Sequence, residues 1–321
     1  MSLQLLSNFL VDNLPPRAKH IISVKSTDSI PKVFKILAEN GILSVPVLNE
    51  SNRPIGLVDY VDIVCCVVQL INHTDLLGHD FYSILETEYL FKHTYASHIT
   101  DLSERNPFIP VVQNASLLEA ITIMTRHKLN RVPVISNEAK PGQEIGAHIV
   151  NLVTQSAVLS FISKNLDTLG SWVHKPLKEL GFKEKEVISI DFNKRALDAF
   201  QLMAHHRVNG IAVNDEKGHI IANISARDLK EILNKSRMFD DLYISVGEFI
   251  SKVRQQDFKA VNPSICCTLD ESLQHLITKM AAARIHRVYL VNNERKPVGV
   301  VSIHDILEKL LEHVVPNEMA R

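Results

Sequence analysis

The sequence predicts an α/β fold made of four copies of one small module, packed as two pairs in a disc-like body. Three observations predict it. An amphipathic helical segment runs directly into a short β-branched strand at four places in the chain. A polar turn, a second short strand and a further amphipathic segment follow each time. The copies recur at a spacing of roughly 77–87 residues, and such regular recurrence is typical of a repeat architecture.

The first helix of each copy is indicated by apolar residues three and four positions apart, the period of one helix face. These segments are IPKVFKILAENGI, SLLEAITIMTRHKL, ALDAFQLMAHHRV and SLQHLITKMAAARI. The stretches that follow are β-branched and too short for helices, which predicts strands. They are LSVPVLN, NRVPVIS, NGIAVND and HRVYLVN.

The second half of each copy begins with a stretch rich in Pro, Gly, Asn and charged residues, which favours a tight reversal of the chain. The second strands are IGLVDY, HIVNLV, IIANIS and VGVVSI, and the closing helices are VDIVCCVVQLI, QSAVLSFISK, ARDLKEILNK and HDILEKLLEH. A further short strand is predicted ahead of each copy, in HIISV, NPFIPVV, EVISI and SICCTL.

The pairing of the copies follows from burial. A three-stranded sheet with helices on one side leaves an apolar surface exposed, so a single copy needs a partner. We expect one pair in residues 1–166, with repeats at about 18–72 and 95–165, and a second in residues 167–321, with repeats at about 172–236 and 244–315. The linker at 72–94 contains FYSILETEYLFKH, which is amphipathic enough for a helix that packs on a neighbour.

Composition narrows the class of protein. The formal net charge of -1 argues against a nucleic-acid-binding surface. The four cysteines form two adjacent pairs without zinc-ligand spacing, which is typical of reduced, apolar thiols. The first residues lack the basic start of a signal peptide, and the most apolar run, 63–71, is too short to cross a bilayer. We expect a cytoplasmic protein, with the nucleus as a second compartment, and no membrane partner.

Catalytic signatures are missing from the sequence. Gly-x-Ser-x-Gly, the phosphate-binding Gly-Lys-Ser/Thr loop, Gly-x-Gly-x-x-Gly and His-Glu-x-x-His are all absent. Glycine is sparse, at 11 residues, which disfavours loops that cradle phosphates. The sequence therefore indicates a binding protein and not an enzyme.

Four stretches carry a family resemblance: IHRVYLVNNERKPVGVVSIHDIL, LMAHHRVNGIAVNDEKGHIIANISARDL, LNRVPVIS and NLVTQSAVL. From about residue 18 to 313 the chain resembles proteins with four cystathionine-β-synthase (CBS) motifs. More narrowly, it resembles the gamma regulatory subunit of AMP-activated and sucrose-non-fermenting-related protein kinases, especially the plant gamma-type chains. The resemblance implies clefts that bind AMP, ADP or ATP, no other cofactor and no metal. It also implies a catalytic alpha-type subunit and a beta-type scaffold subunit as partners.

The resemblance assigns roles to particular residues. The aspartate that meets the ribose matches Asp62, Asp228 and Asp305, whereas the second repeat has Ala157 there. The nucleotide-binding residues implied overall are Thr27, Asp62, Arg131, Asp228, Thr268, His286, Arg287, Ser302, His304 and Asp305. Basic residues of the family are replaced by Leu43, Asn130 and Ser156 in the first pair, which weakens its expected phosphate binding.

Each assignment has an ordinary structural alternative. An aspartate at a helix start is a common N-terminal cap, and the cap is the favoured reading for Asp62 alone. Arg287 has the alternative of a salt bridge between repeats, and Thr27 and Thr268 that of strand-to-helix capping. A metal site at His205-His206 is disfavoured because adjacent histidines on a helix point apart.

The function that the sequence predicts is a non-catalytic gamma-type subunit of a heterotrimeric, energy-sensing Ser/Thr protein kinase that binds adenine nucleotides. Two alternatives stay open. One is a purely structural subunit of a kinase complex whose nucleotide sites have decayed, which Leu43, Asn130, Ser156 and Ala157 favour for the first pair. The other is a stand-alone nucleotide sensor that regulates another protein.

Overall fold

Four three-stranded sheets, one for each repeat, organise the part of the chain that the structure describes. The structure is a computed structural model, and it describes residues 3–14, 21–75, 81–136, 148–231, 239–256 and 265–315. The predicted mixed α/β fold of four repeats is confirmed.

Repeats 1 and 2 follow the predicted order of elements. After helix α1 (Leu3–Asn8), repeat 1 contains β1 (Val24–Lys25), α2 (Ile30–Glu39), β2 (Ser44–Leu48), β3 (Pro54–Asp59) and α3 (Tyr60–Asp75). Helices α4 (Phe81–His93) and α5 (Ala96–Ile99) follow. Repeat 2 contains β4 (Val111–Val112), α6 (Leu117–Arg126), β5 (Arg131–Ile135), β6 (Ile149–Thr154) and α7 (Gln155–Lys164).

Repeats 3 and 4 keep the same order with one difference. After three short 3-10 helices (Leu166–Leu169, Ser171–His174 and Leu177–Leu180), repeat 3 contains β7 (Ser189–Asp191), α8 (Ala196–His206), β8 (Gly210–Asn214) and β9 (Ile220–Ser225). Helix α9 (Val246–Gln256) precedes repeat 4, with β10 (Cys266–Cys267), α10 (Leu273–Ala283), β11 (Arg287–Val291), β12 (Pro297–Ser302) and α11 (Ile303–Val314). The closing α-helix predicted for repeat 3 is a 3-10 helix over Ala226–Glu231, with hydrogen bonds that span three residues instead of four. The rest of that predicted helix, 232–235, lies outside the described residues.

Each sheet has the same topology. Its short first strand is parallel to the middle strand, and the middle strand is antiparallel to the third. The same pattern holds in repeats 3 and 4. The first strands are only two or three residues long, shorter than the sequence predicts.

The antiparallel pair fixes one junction in every repeat, which we call the corner. The corner comprises the last residue before the middle strand, the first residue of that strand, and the first turn of the closing helix. The first residue of the middle strand pairs with the last residue of the third strand. These pairs are Ser44 with Asp59, Arg131 with Thr154, Gly210 with Ser225 and Arg287 with Ser302.

The backbone ties the corner further. In repeat 4 the N–H of Ile303 donates to the carbonyl of His286 at 3.1 Å. The same bond joins Gln155 to Asn130 in repeat 2 and Ala226 to Asn209 in repeat 3. A side chain at the start of the middle strand therefore lies beside the N-terminus of the closing helix, where the backbone favours negative charge.

The contacts divide the chain into two compact units. Unit 1 comprises Met1–Ile21, Phe108–Glu186 and Ile265–Arg321, and unit 2 comprises Ile22–Pro107 and Val187–Ser264. Unit 1 holds repeats 2 and 4, and unit 2 holds repeats 1 and 3. This division differs from the expected one at residue 166, because the helices of alternate repeats share a core. Helix α3 packs on α8 in unit 2, and α10 packs on α7 in unit 1.

The segments that lead into the repeats are exchanged. Leu10, ahead of repeat 1, forms a bridge with Ser116 of repeat 2, and Tyr95, ahead of repeat 2, forms one with Ser29 of repeat 1. Repeats 3 and 4 exchange in the same way, through Pro176 with Ser272 and Ser245 with Arg195. Each repeat is thus completed by the segment that precedes its neighbour in sequence.

The linker helix predicted in FYSILETEYLFKH is confirmed as α4. It packs against α3 and α2, and its Phe91 is fully buried. The ring of Phe91 meets that of Phe239 edge-on, with 5.6 Å between ring centroids. The linker is therefore part of the core of unit 2.

Two smaller expectations concern cysteines and membranes. The four cysteines are free, and burial raises the pKa of Cys66 and Cys267 to about 12, which keeps these thiols protonated. Within the described ranges, no helix has the length and apolar character needed to cross a bilayer.

Gly56 in β3 is a point of close approach. A Cβ at this position would overlap Cγ2 of Thr100, so replacement by alanine forces the segment after α5 away from the sheet. We expect Gly56→Ala to lower the free energy of unfolding by about 1–3 kcal/mol, the usual cost of overpacking. Urea denaturation followed by circular dichroism measures it.

Thr100→Ser supplies the matched test, since it removes Cγ2 and keeps the hydroxyl that donates to the Ala96 carbonyl at 2.9 Å. The double variant should recover most of the lost stability. Equal losses in the single and double variants would show that this contact is not the cause.

Candidate functional site

The repeat 4 corner brings the most predicted site residues together. Ser302 caps α11, and its N–H donates to Oδ2 of Asp305 at 2.7 Å. The Ser302 hydroxyl donates to the same oxygen. The other oxygen, Oδ1, lies 3.4 Å from Nζ of Lys185, and the Asp305 side chain is 28% exposed. Asp305 therefore completes the capping box of α11 through Oδ2 and keeps a partly open carboxylate, so the two readings of its role are compatible.

The two remaining residues of this corner are His286 and Arg287. His286 is exposed, and its Nδ1 is 3.3 Å from Oγ of Ser156 in repeat 2. Arg287 is partly buried beside Tyr289. Burial raises the pKa of the Tyr289 hydroxyl, and the adjacent guanidinium partly offsets this. Unit 1 thus joins the corner of repeat 4 to the first turn of α7 in repeat 2.

The repeat 2 corner keeps a cation and lacks a carboxylate. Arg131 is buried, at 8% exposure, and pairs in the ladder with Thr154. Thr154 caps α7 by accepting from the N–H of Ala157 at 3.2 Å. Because Ala157 has no polar side chain, this corner has nothing to bind sugar hydroxyls in the manner expected of an aspartate.

The repeat 3 corner has an aspartate and lacks a charged residue at the start of its middle strand. Oδ2 of Asp228 accepts from the N–H and hydroxyl of Ser225, at 2.7 and 2.9 Å. Burial raises the pKa of Asp228, and the cations of Lys230 and Arg227 act against it. Asn209 and Gly210 stand where repeat 4 has His286 and Arg287, so the strand start carries no charge.

The repeat 1 corner is closed. Asp62 is fully buried, and its Oδ1 accepts from the N–H and hydroxyl of Ser103, at 2.9 and 2.6 Å. Its Oδ2 accepts from the N–H of Asp59 at 2.7 Å. Burial, reinforced by the Asp59 carboxylate, raises the pKa of Asp62 to about 8. Both oxygens are bonded to the protein, which supports the cap reading for this residue over the predicted ribose contact.

Sequence reasoning missed the residues that close this corner. Ser103 reaches Asp62, and Asn106 donates to Oδ2 of Asp59 at 3.0 Å. Both are almost completely buried. They lie between α5 and β4, more than 40 residues along the chain from the two aspartates, so no local pattern could have indicated them.

The remaining predicted residues are less informative. Thr27 and Thr268 are exposed in the turns after β1 and β10, and the backbone of Thr268 exchanges hydrogen bonds with Glu271. These contacts fit the capping alternative for Thr268. Nδ1 of His304 is buried, without a hydrogen-bond partner in the structure described.

Metal binding finds no support in the described ranges. They contain no group of three or more His, Cys, Asp or Glu side chains able to hold an ion. The rings of His205 and His206 are nearly perpendicular, at 87°.

The fold and corners define a class: a protein of four like modules whose corner side chains differ from repeat to repeat. The chain belongs to the CBS domain family, which it matches over residues 17–68, 99–164, 178–235 and 256–312.

Among its relatives is the SNF1-related protein kinase regulatory subunit gamma-1-like of Arabidopsis thaliana, 30% identical over 243 residues. That match spans 73% of this chain and about half, 53%, of the plant protein. The 5'-AMP-activated protein kinase subunit gamma of Saccharomyces cerevisiae is 24% identical over 298 residues, 92% of this chain and 88% of the yeast protein.

The fold also has solved counterparts. A crystal structure of a Methanocaldococcus jannaschii protein, described as an archaeal homologue of gamma-AMPK, superposes with a TM-score of 0.68. It is 17% identical, and the match covers 91% of this chain and 96% of that one. The predicted resemblance to gamma-type subunits is confirmed, and it supports a regulatory role that is not catalytic.

The closed corner predicts a pH dependence of stability. Folding raises the pKa of Asp62 from its ordinary 3.8 to about 8, so between these values the folded state binds a proton that the unfolded state has lost. The stabilisation from this group is complete below pH 4 and declines as pH rises towards 8. We expect the urea midpoint of the natural protein to fall over this range, and that of Asp62→Asn to fall less steeply. Equal slopes in the two proteins would contradict the raised pKa.

Proposed function

We propose that the protein is a gamma-type regulatory subunit of an energy-sensing Ser/Thr protein kinase and that it binds adenine nucleotides, with the repeat 4 corner as the principal site. The observation that carries the proposal is the arrangement at that corner. A partly open carboxylate, Asp305, lies one helical turn after the residue that pairs with Arg287. His286 adjoins the same junction.

The chemistry of this corner suits a nucleoside phosphate. A ribose offers two hydroxyl donors, and Oδ1 of Asp305 is available to accept from them, with only the 3.4 Å contact to Lys185 in competition. The guanidinium of Arg287 provides paired donors that match phosphate oxygens. His286 adds a further donor on the exposed side. AMP, ADP and ATP share these groups and are the ligands that we propose.

The other three corners are weaker candidates for nucleotide binding than the repeat 4 corner. Repeat 3 has Asp228 without the charged pair at the strand start, and repeat 2 has Arg131 without a carboxylate. Repeat 1 has its aspartate bonded on both oxygens. We therefore propose few nucleotide sites, fewer than the number of repeats.

A nucleotide would regulate the protein by binding one arrangement of the repeats more tightly than another. A nucleotide that prefers one arrangement of the repeats shifts the population towards it, and a partner that contacts that arrangement is coupled to the nucleotide. The relatives named as kinase gamma subunits support a catalytic alpha-type subunit and a beta-type scaffold as those partners.

A purely structural subunit is the second candidate. The bonded Asp62 and the missing carboxylate at Ala157 favour it, since two of the four corners have lost the ribose contact. The two candidates differ in whether any nucleotide stabilises the protein.

The nucleotide proposal predicts a thermal shift. Ligand at 100 times its dissociation constant stabilises the native state by about 2.7 kcal/mol, which moves Tm by several degrees. We expect AMP, ADP or ATP to raise the Tm of the natural protein and Arg287→Ala to remove most of the shift. Lys296→Gln removes one positive charge at the far end of the same hairpin and should leave the shift unchanged.

The outcomes separate the candidates. If no adenine nucleotide at millimolar concentration changes Tm, the structural role replaces the sensor. A normal shift in Arg287→Ala would remove the phosphate role from that residue and keep the sensor.

The partner proposal has its own test. Co-expression with a plant or yeast kinase alpha-type and beta-type subunit should give a complex that co-elutes in size-exclusion chromatography. Elution of this chain apart from both subunits, with its thermal shift intact, would favour a stand-alone sensor.

A further inference from the structure

The loop Asp101–Asn106 of unit 2 contains two residues with uncommon backbone conformations. Asp101 and Glu104 both have left-handed backbone conformations, with φ of 50° and 53°. Such residues persist only where surrounding contacts hold them, and they are concentrated at functional sites. Here the contacts are made to the corners of two different repeats.

One end of the loop meets the repeat 1 corner. The hydroxyl and N–H of Ser103 donate to Oδ1 of Asp62, and the amide of Asn106 donates to Asp59. A hydroxyl that donates to this carboxylate is the contact expected of a sugar. The loop therefore supplies from within the chain what a ribose would supply from outside.

The middle of the loop meets repeat 3. Oε2 of Glu104 lies 2.6 Å from Nη1 of Arg207, and the Arg105 guanidinium donates to Oδ1 of Asn209 at 2.6 Å. Asn209 is the residue that corresponds to His286 of repeat 4. The Glu104 carboxylate thus neutralises a cation two residues before the corner residue, as a phosphate would.

The two sets of contacts lie close together. Burial raises the pKa of Cys65, the carboxyls of Asp62 and Asp59 raise it further, and Arg105 and Arg207 lower it. Helix α3 also packs on α8, and Arg207 is the C-cap residue that ends α8. One short loop presents a hydroxyl to the aspartate and a carboxylate to the arginine within the same region.

The equivalent aspartate of repeat 4 is covered less completely. The segment ahead of repeat 3 lies against the β11–β12 hairpin, since the N–H of Lys185 donates to the carbonyl of Val298 at 2.8 Å. Its side chain reaches the edge of Asp305 at 3.4 Å and leaves that carboxylate partly exposed. The equivalent carboxylate in repeat 1, Asp62, is completely covered.

We propose that the Asp101–Asn106 loop is a tethered occupant that stands in for a nucleotide in unit 2, with Ser103 on Asp62 in place of the sugar and Glu104 on Arg207 in place of a phosphate. A nucleotide reaches these groups only when the loop leaves, so the loop sets the number and affinity of sites. This inference rests on the proposed nucleotide binding and adds its regulation.

The test is titration calorimetry of the full chain with AMP. Glu104→Gln removes the competing charge at an exposed side chain, so the fold should persist. We expect AMP binding in unit 2 to become about two- to fivefold tighter, the ratio that corresponds to losing an exposed ion pair, while the repeat 4 site is unchanged. Ser103→Ala with Glu104→Gln should give a larger gain or an additional site. Glu86→Gln, an exposed glutamate on α4, is the matched control and should bind like the natural protein.

The outcomes are distinct. Equal affinity and stoichiometry in the natural protein and Glu104→Gln would overturn the tethered occupant and leave the nucleotide proposal standing. Absence of AMP binding in every variant would overturn both. If the double variant fails to fold by circular dichroism, the result for Glu104→Gln decides.

Discussion

The structure depends on one junction, the point where an antiparallel strand pair ends and a helix begins. The ladder places the first residue of the middle strand opposite the helix cap, as with Arg287 and Ser302. A backbone bond from Ile303 to His286 then holds the preceding residue against the first turn. Because the backbone makes these contacts, the junction survives changes of side chain, and four repeats keep its geometry with different chemistry.

The aspartate in the first turn of the closing helix makes the same capping bond in three repeats. In repeats 1, 3 and 4 its Oδ2 accepts the N–H of the cap residue, at 2.7 Å each time. This bond fixes the carboxylate and leaves Oδ1 to accept from other side chains. For Asp305 that is a weak contact with Lys185, and for Asp62 it is a buried serine. Capping by Oδ2 therefore leaves Oδ1 as the oxygen whose partner differs from repeat to repeat.

Burial couples the repeats to one another. The helices of alternate repeats form common cores, and the segments ahead of neighbouring repeats are exchanged, as with Leu10 on Ser116 and Tyr95 on Ser29. A repeat cannot leave its place without exposing apolar surface in the repeat that shares its core. This arrangement explains how a small change at one corner, such as the departure of a loop, would reach the rest of a unit.

The sequence by itself determined the modules: helix periodicity and β-branched strands are local signals, so the four repeats, the linker helix α4 and the aligned aspartates were all predicted. It also showed that the second repeat has Ala157 where the other repeats have an aspartate. Tertiary structure alone decided which helices share a core, where the linkers cross, and that Ser103 and Asn106 cover Asp59 and Asp62. The physical reason is distance along the chain. Those partners lie more than 40 residues from the carboxylates, and only packing brings a distant donor to a buried oxygen.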